Sequence, residues 1–343
     1  AVGDSDMALD DLERAFDQSG GGYHAELRAH LEAALVRVSR DPAASRRSEL
    51  EIRLRLAEVA AQSGDPDSAR LVVDEVLRRD PSSVVALTTL ARIEERSGRL
   101  DAAADIYAHI AGVSHGPELT ATVLRLQDVA RRLGRPDVAR SGLERAVAEA
   151  PDDAKLRAAL RAVYEDTGAI GELADLVVED ARKNADDGAR YDALLEAARL
   201  LLYGTGDASL GPAMAERSIA VLEEASALRS DDADLLLLTC AAGRIDDARA
   251  RLAQIIASHR GKRSRELGQA YYTLYRVEAR DGNLSEAMAA LTRAFDNQPQ
   301  NGGIALELGQ LALDLDDQDV AQRAFRAVTL MKVDGSSSVT TQD

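Results

Sequence analysis

The chain has 343 residues and a formal charge of −17, an excess of carboxylates that opposes sequence-independent attraction to phosphate backbones, so no nucleic-acid role is expected. Aromatic residues make up 3% and Trp is absent; with the apolar content carried by Ala, Leu and Val, the composition suits closely packed helices rather than a thick globular core. One cysteine, Cys240, excludes an internal disulfide.

In chain order, helices are expected in pairs. A divergent first pair occupies about 6–18 and 23–40 around SGGGY, within 1–44. A regular array then runs over 45–185, where AEVAAQSGDPDSARLVVDEVL (57–77) is echoed by ARIEERSGRLDAAADIYAHI (91–110). Residues 186–262 are irregular: LLLYGTGDASLGPAMAERS lengthens a turn around 204–212, and DDADLLLLTCAAG shortens the next first helix by about a turn. Regularity returns over 263–333 with YRVEARDGNLSEAMAALTRAF (275–295), and 334–343 reads as a polar tail or linker. Nine helix pairs result, and no apolar run is long enough for a membrane span.

The glycines set the period. Gly64, Gly98, Gly134 and Gly168 stand 34, 36 and 34 residues apart, and Asp316 stands 34 after Gly282. Five residues after Gly64, Gly98, Gly134, Gly243 and Gly282 comes an alanine (Ala69, Ala103, Ala139, Ala248, Ala287), and Ala321 follows Asp316 at the same distance. A period near 34 is a supersecondary unit rather than a domain. Glycine ends the first helix in a left-handed turn, Asp65 and Pro66 (or Pro136) start the second, and Asp67, Asp101, Asp137, Asp246 and Glu286 complement its positive end. The small residue lets the two helices approach closely. Pro81, Pro151 and Pro299 stop the second helix, and Ser82–Ser83, Asp152–Asp153 and Asn301 cap the next. Each helix has one apolar stripe, which an isolated pair cannot bury, so the units must stack.

In this register the chain resembles the tetratricopeptide repeat. Leu56, Leu90, Leu126, Leu160, Leu274 and Leu308 fall on the family's Leu, and Gly309 on its first Gly. The five-residue alanines fall on its first Ala; Val73, Tyr107, Leu143, Leu291 and Phe325 on its large residue; Ala146 and Ala294 on its second Ala; and the three prolines on its Pro. No repeat has the family's Trp, and only Tyr164 holds its Tyr. The resemblance covers roughly 45–333 and implies an all-α, right-handed solenoid that binds a protein or peptide partner on its concave face.

No catalytic or cofactor-binding constellation is legible, so neither an enzyme nor a cofactor is expected. GTG at 204–206 lacks the preceding strand of a dinucleotide site, and DLDDQD at 314–319 lacks the glycine and closing Glu of a calcium loop, which leaves it a helix-capping turn. His24/His30 and His109/His115 are six apart, unlike the i, i+4 spacing of a zinc helix. GKRS at 261–264 lacks the upstream Gly of a phosphate loop, and Cys240 reads as a small packed residue.

Charge is uneven along the chain: 81–150 balances nine arginines against nine carboxylates, whereas 151–234 carries −10. The family's concave-face positions, carried over, gather Arg92, Arg96, Arg125, Arg131 and Arg132 with Asp128 in one neighbourhood, and Tyr272, Arg276 and Arg280 in another. Guanidinium forks suit a carboxylate-bearing peptide; the alternative is surface arginines that balance Glu94, Glu95 and Asp128. The family's chaperone-tail clamp needs Lys and Asn where this chain has Leu54/Glu58, Thr88/Arg92 and Leu124/Asp128, so that specialised role is not expected. The expected function is a non-catalytic scaffold of a larger bacterial protein or assembly, bacterial because four lysines stand against 38 arginines. The alternatives are a regulatory module attached to a catalytic domain outside this segment, or a periplasmic subunit of a polysaccharide or protein export machine. AVGDSDMALDD lacks the basic start and apolar core of a signal peptide, so a cytoplasmic setting is expected, or a periplasmic one if such a peptide has been removed.

Overall fold

The computed structural model describes residues 2–20, 22–45, 47–204, 211–259 and 263–333. The proposed tail at 334–343 and residues 205–210 of the lengthened turn lie outside them. Among the described residues there are eighteen α-helices and no strand, and the chain divides after Gly168 into two compact units.

Unit 1 contains α1 (Val2–Gln18), α2 (His24–Arg40), α3 (Glu49–Gln62), α4 (Pro66–Arg79), α5 (Val84–Arg96), α6 (Leu100–Val113), α7 (Gly116–Arg132), α8 (Asp137–Glu149) and α9 (Ala154–Thr167). Consecutive helices pack on one another, and α3 also touches α5, α6 touches α8, and α7 touches α9. That is the contact pattern of stacked antiparallel pairs. Stacking is plainest at α3, which is buried from two sides. Ile52 and Val59 pack with Leu9, Phe16, Leu27 and Leu31, whereas Leu54, Ala57 and Ala60 pack with Ala69, Val73, Ala86 and Ile93. Each buried Val, Leu or Ile contributes about 1.5–3 kcal/mol, so the interfaces between pairs add substantially to what one pair supplies alone.

Unit 2 contains α10 (Ile170–Lys183), α11 (Asp187–Tyr203), α12 (Gly211–Leu228), α13 (Ala233–Ala241), α14 (Ile245–Ser258), α15 (Arg265–Asp281), α16 (Leu284–Asn297), α17 (Gly302–Asp314) and α18 (Gln318–Val333). Its core falls into a cluster around Leu236, Cys240, Leu252 and Val277 and another around Leu291, Phe295, Ile304 and Leu308. α13 has nine residues, the shortening expected from DDADLLLLTCAAG. Cys240 is buried, and burial pushes its thiol pKa up, as suits a packing residue rather than a reactive one.

The punctuation acts as its chemistry requires. Gly64, Gly98, Gly134, Gly168, Gly243 and Gly282 take φ between 67° and 87°, and Asp316, which has no glycine's freedom, takes φ 60° in the same role. All six five-residue alanines are buried. The Asp65 carboxylate accepts from the Ser68 N–H at 3.1 Å behind Pro66, and Ser83, Asp153 and Asn301 cap α5, α9 and α17. Within DLDDQD, Asp317 accepts from the Val320 N–H at 3.1 Å, a cap on α18. Two details differ from expectation. Pro136 is the residue before α8 rather than its first, and a 3-10 turn at Pro42–Ala44 follows Asp41, whose carboxylate accepts from the Ala43 N–H at 3.0 Å.

Candidate functional site

α3, α5 and α7 are the first helices of successive pairs, and side chains from all three line one trough. Arg55 and Glu58 of α3, Arg92 and Arg96 of α5, and Arg125 of α7 surround a cavity of about 420 Å³. A second, of about 780 Å³, shares Arg55, Glu58, Thr88, Arg92, Ala121 and Thr122 and extends to Arg47 and Glu51. Thr88, Ala121 and Thr122 contribute short side chains to both linings, beside Ile93 and Tyr107 in the smaller cavity and Leu50, Leu54 and Val85 in the larger.

Three of the sequence-predicted arginines, Arg92, Arg96 and Arg125, therefore meet. Arg132 joins them through Glu95: its Nη1 donates to Glu95 Oε1 at 2.8 Å, and Arg125 Nε lies 3.4 Å from Oε2. Asp128 is exposed, 3.9 Å from Arg132. Arg131 is exposed and, six positions past Arg125, projects about 120° around α7 from it. Arg92 Nη1 donates to Glu58 Oε1 at 3.4 Å, and Arg55 Nη1 to Glu58 Oε2 at 2.9 Å. The Tyr107 hydroxyl donates to Glu95 at 3.4 Å; burial first and the Glu95 charge second push its pKa up. The charges are layered. Arg92 and Arg125 are 57% and 55% exposed, while Glu58 and Glu95 beneath them are 23% and 11% exposed.

In unit 2, Tyr272 and Tyr275 of α15 lie with ring centroids 5.8 Å apart, and the Tyr272 hydroxyl donates to Glu307 at 2.8 Å. Burial, and then that hydrogen bond, push Tyr272 up to about 12. Arg276 and Arg280 are exposed one turn apart on the same helix. A cavity of about 730 Å³ in this unit is lined instead by residues that include Asp232, His259, Arg265, Glu266, Gln269 and Thr273.

Sequence reasoning missed a second use of arginine, in the joints between pairs. Glu94 of α5 is buried and accepts from Arg70 of α4 (Nε at 2.7 Å, and Nη2) and from Arg99 Nε. Glu278 of α15 is buried likewise. It accepts from Arg249 of α14 through two bonds of 2.8 Å and from Asn283 Nδ2 at 3.2 Å. Both carboxylates stand four residues before a turn glycine, and both arginines follow a five-residue alanine. At the equivalent positions of α8 and α9, the Arg140 guanidinium lies over the Tyr164 ring, 5.3 Å from its centroid. Burial raises the Glu94 pKa, but hydrogen bonds from Arg99 and Arg70 together outweigh it and hold the carboxyl below its ordinary range. For Glu278 the Arg249 hydrogen bonds are the largest influence, in the same direction.

The Tetratricopeptide repeat family model matches residues 50–93, which lie within α3, α4, α5 and the turns that join them. Residues 50–93 carry the tetratricopeptide pattern. The chain is 27% identical over 320 residues to cellulose synthase operon protein C of Xanthomonas axonopodis pv. citri. The match takes in 82% of this chain and 20% of that protein, so the chain spans about a fifth of its relative. Similar solved structures include a thermophilic tetratricopeptide protein of Thermus thermophilus, 24% identical with TM-score 0.33, covering 56% of this chain and 98% of that one. Another is a tetratricopeptide repeat protein from Parabacteroides merdae, 15% identical with TM-score 0.31, covering 77% of this chain and 98% of that one. No described helix of the array is long and apolar enough to cross a membrane.

Proposed function

We propose that the chain is a non-catalytic scaffold that holds a protein or peptide partner in the trough formed by α3, α5 and α7. The observation that carries this reading is the layering of charge: in a chain of net −17, the cavity of about 420 Å³ in this trough turns the Arg92 and Arg125 guanidiniums outward and keeps their partners Glu58 and Glu95 beneath. Exposed arginines can then form bidentate bonds to a partner's carboxylates without a prior change of fold. The test is charge reversal of Arg92, Arg125 and Arg132 to Glu. Capture of a partner identified with the unaltered chain should be abolished while helicity is retained, and equal recovery of that partner would remove the site.

A second reading, a scaffold subunit of an export machine with a periplasmic setting, is supported by the similarity to cellulose synthase operon protein C. The complete reading frame and its genomic neighbours decide this one. A signal peptide beside export genes supports it, whereas a fused catalytic domain supports a regulatory module instead.

A further inference from the structure

The trough contains its own anions. Glu58 and Glu95 are bonded to the same arginines that a ligand would use, but not equally. The bonds from Arg55 to Glu58 (2.9 Å) and from Arg132 to Glu95 (2.8 Å) are short, while those from Arg92 to Glu58 and from Arg125 to Glu95 are 3.4 Å. Arg92 and Arg125 are therefore the loosely held pair, and they are also the more exposed. If they turn outward, Arg55 keeps Glu58 paired, and Arg132 with the Tyr107 hydroxyl keeps Glu95 paired, so neither carboxylate is left bare in its partly buried seat.

We propose that the trough takes an extended, carboxylate-rich peptide segment on Arg92, Arg96 and Arg125, and that Glu58 and Glu95 set its affinity by occupying the Arg92 and Arg125 guanidiniums until the ligand's carboxylates replace them. The proposal rests on the reading of the trough as the partner site. Neighbouring helix axes lie about 8–10 Å apart, so a ligand that crosses α3, α5 and α7 runs about 20 Å, or about six residues at ~3.3 Å each. The short side chains of Thr88, Ala121 and Thr122, shared by both cavities, leave room for its backbone. A peptide fits better than a nucleic acid because the one aromatic ring among the lining residues, Tyr107, is buried, which leaves no exposed ring for bases to stack on.

The probe is fluorescein-labelled hexaglutamate, measured by anisotropy against the whole chain at low ionic strength, with hexaglutamine and a dT hexanucleotide as comparators. Circular dichroism and thermal melts accompany every variant. Glu58→Gln with Glu95→Gln removes two negative charges close beneath the ligand and should tighten hexaglutamate binding about three- to tenfold. Arg92→Gln with Arg125→Gln should weaken it at least about tenfold, as expected for the loss of two charge-assisted contacts. If the double Glu variant does not fold, Glu58→Gln alone, at the more exposed of the two carboxylates, should still tighten binding. Folded Glu variants that bind no tighter than the unaltered chain, while the Arg variant loses binding, would overturn the proposal and leave the partner site standing. Hexaglutamate binding that ignores the Arg variant, or no binding by any form, overturns the partner site and the proposal together. A dT hexanucleotide bound as tightly as hexaglutamate overturns the assignment to an acidic peptide.

Discussion

Replacing Glu94 with Gln tests whether the buried carboxylate braces α5 against α4. Gln keeps the shape but turns an accepting oxygen into an N–H2 group that faces a guanidinium, so at least one of the charge-assisted bonds from Arg70 and Arg99 is lost. A hydrogen bond to a charged group contributes about 1.5–3 kcal/mol. The two arginine side chains are 38% and 36% exposed and recover part of their hydration, so the net loss should be about 2 kcal/mol rather than the roughly 3–5 kcal/mol of a fully enclosed pair. The carboxyl is held below its ordinary value of about 4.3. Its stabilisation is therefore complete above that value and disappears as pH falls through the lower folded-state pKa. Urea unfolding of wild type and variant from pH 7 down to pH 3 should show a gap of about 2 kcal/mol that is constant in neutral solution and closes in acid. A gap below about 0.5 kcal/mol at pH 7, or one that persists unchanged to the acid end, would refute the brace.

Ala69→Leu should overpack the junction of α3 and α4, where Ala69 has no exposed surface, and cost about 1–3 kcal/mol by denaturant titration; an unchanged midpoint would count against the register. Asp316→Gly should stabilise by about 0.5–1 kcal/mol because the position has φ 60°, and a lower melting temperature would show that the Asp side chain does more than tolerate the turn. At Gly309 an added Cβ would lie 2.6 Å from the Phe325 ring. Gly309→Ala should therefore destabilise by about 1–2 kcal/mol despite its better helix propensity, and a rise in stability would mean that the ring moves freely.

The fold was legible because its punctuation depends on backbone geometry: a left-handed turn favours Gly at 64 or 282, and a close crossing favours Ala at 69 or 287 whatever surrounds them. The meeting of Arg92, Arg96 and Arg125 was legible as well, since positions one repeat apart fall on corresponding faces of successive first helices. The roles of Glu94 and Glu95 were not, although the two are adjacent in the chain. Successive helical positions point about 100° apart, so Glu94 turns into the joint with Arg70 while Glu95 lies under the trough with Arg125 and Arg132. A composition that counts both as surface charge cannot separate them. The signal that was there is positional: four residues before the turn glycine stands Glu94, Tyr164 or Glu278, and after the five-residue alanine stands Arg70, Arg140 or Arg249.

The joints, then, are not all fastened with the same material. Arg70–Glu94 and Arg249–Glu278 depend on a buried negative charge, Arg140 lies over the Tyr164 ring while both side chains bond the more exposed Glu144, and Ala104 and Ala130 at the same two positions offer neither ring nor charge. Acid should consequently unpick this chain seam by seam, beginning where a buried carboxylate is the stitch and sparing longest the seam of alanines, which has no proton to gain.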